Sequence, residues 1–146
     1  MQPSPILGPI VALVVWSLVM MIWMYATRLP AIGRSGIDVR SWRGGTAAEL
    51  EAALDPRVQW KAHNYNHLME QPTLFYAIAL TLALMGQGSG HNLWLAWAYV
   101  GLRVLHSLVQ ATSNVVRVRF ALFALSSLAL LALTLHAAMS LLHLHA

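Results

Sequence analysis

His63, Asn66, His67 and Glu70 stand at positions i, i+3, i+4 and i+7, a spacing that puts all four on one face of a helix. Arg103, His106 and Gln110 repeat the pattern at i, i+3 and i+7, with Ser107 beside His106 and Asn114 one turn further on. Imidazole, carboxylate, amide and guanidinium on two such stripes can hold an anionic ligand, relay protons or, through two imidazoles and a carboxylate, ligate zinc or iron. The metal reading is weakened by the lack of an HExxH arrangement and by a nearby arginine, which opposes a cation. The chain has no cysteine, so disulfides, thiolate metal sites and a cysteine nucleophile are excluded. Any sulfur chemistry has to arrive on a ligand.

These stripes lie in apolar surroundings. Of 146 residues, 58% are hydrophobic and 10% charged, against roughly a quarter charged in an ordinary soluble domain. With a mean hydropathy of +0.61 the chain cannot cover a water-facing surface, and the lipid bilayer is the partner expected to cover it. The length allows one domain, residues 1–146. Ile6 to Ala26 carries no charge and spans about 31 Å as a helix, the thickness of a bilayer core. No Lys or Arg precedes this run, so it is expected to be retained rather than cleaved as a signal peptide.

Further spans are expected at about 61–85, 92–112 and 118–142, giving an all-α, four-transmembrane-helix bundle. The polar stretch 27–60 forms the long first loop, broken by Gly33, Gly36, Gly44 and Gly45. It includes a short helix from Thr46 to Leu54 capped by Thr46, with Glu49 three residues on. Arg28, Arg34, Arg40, Arg43, Arg57 and Lys61 fall in or beside this loop and Arg117 and Arg119 in the third. The positive-inside rule therefore puts loops one and three in the cytoplasm. The net charge of +4 makes no stripe able to track phosphates, so no nucleic-acid partner is expected. The tryptophans fall mostly near expected helix ends, as interfacial anchors do, and His136, His143 and His145 are read as interfacial. A charge inside the bilayer costs about 2.5–3.5 kcal/mol, so Glu70 and Arg103 are expected to face protein or water and to pair.

The segment Arg57-Val58-Gln59-Trp60-Lys61-Ala62-His63-Asn64, leading into Asn66, Glu70 and Pro72, and the segment Arg103-Val104-Leu105-His106-Ser107 resemble the MAPEG family, the membrane-associated proteins of eicosanoid and glutathione metabolism. The resemblance covers nearly the whole chain. It implies a homotrimer with glutathione bound as cosubstrate between subunits near the cytoplasmic side, and a lipophilic small-molecule electrophile arriving through the bilayer. Carried over residue by residue, the glutathione-holding roles fall on Lys61, Asn66, Glu70, Arg103 and His106, and thiolate stabilisation on Arg119. Arg117 is the alternative for that last role. The chain departs from the pattern in three places. Four residues separate Asn66 from Glu70 where several members have three, with His67 in the extra space. Gln110 stands where eicosanoid enzymes carry a tyrosine, and Phe120 where a serine has been proposed to assist.

The resulting expectation is a glutathione-dependent membrane enzyme acting by conjugation, peroxide reduction or isomerisation. The alternatives are a non-catalytic member that binds lipid, and a proton relay or metal site through His63, His67, Glu70 and His106. Compact loops and the lack of a retention signal point to a bacterial inner membrane.

Overall fold

The computed structural model describes residues 2–36, 41 and 47–144. Among them the chain is helical throughout, without strands: α1 (Leu7–Arg34), α2 (Ala47–Ala53), α3 (Pro56–Leu68), α4 (Gln71–Leu84), α5 (Gly90–Thr112) and α6 (Val116–Leu144). The expected cap Thr46 and the breakers Gly44 and Gly45 lie outside the described residues, as does His145. Helices α1 and α6 are long and apolar enough to cross a membrane, with hydropathies of 2.2 and 2.0. Helix α5 has the length but carries Arg103, His106 and Gln110.

Two elements differ from the sequence expectation. Helix α1 does not stop near Ala26 but runs on to Arg34, so Thr27–Arg34 is helix and not loop. The Thr27 hydroxyl donates to the carbonyls of Trp23 and Met24 at 3.0 and 3.1 Å, which satisfies it without breaking the helix. Pro30 lies inside α1 and cannot donate to the Ala26 carbonyl, and the chain turns away at Gly36 with φ +75°.

The expected second span is two helices, α3 and α4, interrupted at Met69 and Glu70. Pro72 explains the interruption. In a continuous helix it could not donate to the Leu68 carbonyl, and its ring would press against that oxygen. The break also frees the His67 carbonyl, which the Gln71 N–H would otherwise occupy.

Helix α5 packs mainly on α6, α1 on α3 and α5, and α4 on α6. Leu13, Ser17, Met20 and Met24 recur at helical spacing to form the buried stripe of α1. The core continues through Leu68, Phe75, Leu82, Tyr99 and Leu133, with Phe75 and Tyr99 stacked at 4.4 Å between ring centres. Outside this core Val11, Val14, Val15, Leu18, Val19 and Ile22 on α1, and Leu125, Leu128, Leu131 and Leu135 on α6, are exposed. An apolar surface of that extent requires lipid or another subunit to cover it.

The N-terminal segment is tied to the α4–α5 turn by close approach at Gly88. A Cβ there would collide with the Ser4 hydroxyl and lie 2.6 Å from Ile6 Cγ2. Gly88→Ala is therefore expected to destabilise the fold by about 1–3 kcal/mol, read as a lower melting temperature in detergent.

Candidate functional site

Arg103 on α5 is 1% exposed. Its Nη2 donates to the freed His67 carbonyl at 3.3 Å, and its guanidinium carbon sits 5.9 Å from the Tyr99 ring centre and 5.5 Å from that of Phe123. The remaining donors, Nε and Nη1, have no partner. A guanidinium desolvated with two donors unused is costly unless an anion or acceptor completes it.

The expected direct pair between Glu70 and Arg103 does not form. The Glu70 carboxylate accepts instead from His67 Nδ1 at 2.8 Å, and His67 thus stands between the two, touching Glu70 with its ring and Arg103 with its backbone. The helix break is the physical reason, because it turns the chain at Glu70 out of the α3 face.

Next to this group lies a cavity of about 240 Å³ lined by His67, His106, Val116, Arg119, Phe120 and Phe123. The ring centres of His67 and His106 are 5.1 Å apart, and that of Phe123 lies 5.4 Å from His67. His106 is buried. Arg119 enters the cavity from the first turn of α6, whereas Arg117 is exposed outside it. One Arg119 nitrogen, Nη1, donates to Asn114 Oδ1, while the buried Nε has no partner.

Asn114 joins α5 to α6 with φ +53°, a left-handed conformation that asparagine tolerates better than most residues. It therefore makes the turn and holds the guanidinium. Asn114→Gly keeps the backbone free of strain and removes only the side-chain bond. It is expected to leave the melting temperature in detergent nearly unchanged, as read by thermal denaturation.

The structure thus brings His106 and Arg119 to one cavity, with Arg103 and Glu70 joined to it through His67. It does not bring Lys61 or Asn66 there. The Lys61 ammonium donates to the Arg57 carbonyl at 2.7 Å and lies 5.7 Å from the Trp23 ring centre. Asn66 is exposed on α3, whereas Asn64 is fully buried with both side-chain amide atoms unpartnered. Sequence reasoning placed His67 only in the alternative proton relay or metal site, and gave no site role to Phe123 or Asn114. The spacing of three residues between His67 and Glu70 was the available signal for His67. Among the described residues no group of three His, Asp or Glu side chains is placed to hold a metal ion.

The helical bundle has two helices long and apolar enough to cross a bilayer, and its cavity is lined by two histidines and an arginine. The chain belongs to the MAPEG family, which it matches over residues 6–139. No curated protein and no solved structure matches it. Membership ties the chain to glutathione-related or lipid-metabolising function in membranes.

Proposed function

We propose that this chain is a glutathione-dependent membrane enzyme that joins the glutathione thiol to lipophilic electrophiles or reduces their peroxides. The observation that carries this reading is the buried Arg103 guanidinium with two unused donors, joined through His67 to a cavity lined by Arg119. Glutathione carries two carboxylates and an ionisable thiol, and these fit two incompletely bonded guanidinium groups. Arg103 and His106 hold the tripeptide, and Arg119 stabilises the thiolate, whose unperturbed pKa of about 8.5 would otherwise leave most of it protonated at neutral pH. The cavity walls Val116, Phe120 and Phe123 supply an apolar surface for the electrophile.

A volume of about 240 Å³ falls below the roughly 300–1,000 Å³ usual for small-molecule sites. A homotrimer would complete it, with Lys61, Asn66 and the outward oxygen of Glu70 reaching glutathione held against a neighbouring subunit. The four helical segments α1, α3–α4, α5 and α6 then span the membrane, a bacterial inner membrane, with both arginine-bearing loops in the cytoplasm.

The apolar lining, together with Gln110 and Phe120 in place of hydroxyl-bearing residues, favours a second reading, a non-catalytic lipid-binding protein. Detergent-purified protein should distinguish the two. Glutathione and its thiol-free alanine analogue should both raise the melting temperature, and only glutathione should consume an activated aryl chloride. A rise with phospholipid alone would support the lipid-binding reading.

A further inference from the structure

The proposed chemistry leaves one step unassigned, the removal of the thiol proton, and we propose that His67 is the general base that takes it, held in position by Glu70. This inference rests on the functional reading above. A carboxylate can only accept a hydrogen bond, so the 2.8 Å contact between His67 Nδ1 and Glu70 Oε2 places a proton on Nδ1. The lone pair then sits on Nε2, for which no partner occurs among the described residues. His67 also lines the cavity that receives Arg119. A base oriented by a carboxylate, opposite a group that stabilises the nucleophile, is the arrangement by which proteins activate weak nucleophiles.

The surrounding charges explain why this histidine and not its neighbour takes the role. From α5, His106 and Arg103 face it; from α6, Arg119 faces it across the cavity. The two guanidinium groups oppose a second positive charge. Only the Glu70 carboxylate offsets them, and it touches His67 and not His106. His67 is also about a quarter exposed at its side chain, against 3% for His106 as a residue, so it can return its proton to water.

The step balances without another reactant. The glutathione S–H proton passes to His67 Nε2, the sulfur electron pair stays with the sulfur beside Arg119, and it forms a bond to the electrophilic carbon. With an aryl chloride the C–Cl bond breaks and chloride leaves with its pair. The imidazolium, stabilised by Glu70, then releases its proton to water.

The test uses the full chain in detergent, with glutathione and 1-chloro-2,4-dinitrobenzene as probes and calorimetry for binding. His67→Ala should bind glutathione within about threefold of the unaltered chain. It should lose about 100-fold or more in kcat and recover part of that rate when free imidazole is added. Glu70→Gln should lower kcat more than it weakens binding and, because the ring is retained, should gain nothing from imidazole. Binding and kcat both unchanged in His67→Ala would overturn the inference alone, as would a loss of rate that imidazole does not restore. Glutathione bound but not consumed by the unaltered chain, with no thiolate absorbance, would overturn the base role. Failure of the folded, unaltered chain to bind glutathione would overturn the functional reading and this inference with it.

Discussion

Replacing Arg119 with alanine should lower glutathione-dependent turnover by about 100-fold, the usual effect of removing one donor from a developing anion, with little effect on folding. The expectation follows from its surroundings. Arg119 lies in the first turn of a long helix, its side chain donates to Asn114, and its Nε is left without a partner at the cavity wall. Little of the fold therefore hangs on it, while a thiolate in the cavity would gain a charge-assisted donor. Arg119→Lys keeps the charge but not the planar fork, and should restore only part of the rate. Steady-state kinetics, with melting temperature as the control for folding, reads the outcome. Full turnover in Arg119→Ala would remove the residue from the mechanism.

The second large effect concerns Arg103 and separates stability from binding. An arginine buried only to clamp helices should be missed when removed, whereas one buried to receive an anion should be tolerated by the empty protein. Arg103→Met keeps much of the side-chain volume and eliminates the cost of desolvating a charge that no carboxylate among the described residues pairs, which favours the variant. Against this stands the His67 carbonyl, left without its donor at a cost of about 1–3 kcal/mol. The two effects nearly cancel, so the melting temperature without ligand should change little. Saturating glutathione at a hundred times its Kd should add about 2.7 kcal/mol to the unaltered protein, and this gain should vanish in Arg103→Met. Thermal denaturation with and without glutathione checks both halves. A large fall in the ligand-free melting temperature would mark Arg103 as a structural clamp.

Particular residues show what the sequence could and could not disclose. The uncharged run from Ile6, and the absence of strand patterning, were sufficient for an all-helical chain with bilayer-length helices. The i, i+3 spacing of Arg103 and His106 was sufficient to place them on one turn of α5, where both are buried. Helix ends were harder to place. Thr27 and Arg28 look like loop residues, yet α1 continues through them, with the Thr27 hydroxyl satisfied by its own helix.

Pro72 was visible, but its consequence was not. It divides the second segment, turns Glu70 away from Arg103 and frees the carbonyl that Arg103 uses instead. Spacing along an assumed continuous helix cannot show such a rearrangement. The choice between Arg117 and Arg119 was likewise beyond spacing, since the turn at Asn114 sets which one faces inward. Lys61 and Asn66 came from family resemblance and fall outside the cavity of a single subunit. Their roles therefore depend on the partner subunits of the proposed trimer.

The central claim is that the cavity lined by Arg119, next to the buried Arg103, receives glutathione and favours its thiolate. Its most direct test is a calorimetric titration of glutathione into the detergent-purified protein, accompanied by ultraviolet difference absorbance for thiolate. The account predicts saturable binding with a thiolate signal, binding abolished by Arg103→Met, and the thiolate signal lost in Arg119→Ala. A folded protein that takes up no glutathione at millimolar concentration, or binds it equally well without Arg103, would contradict the account.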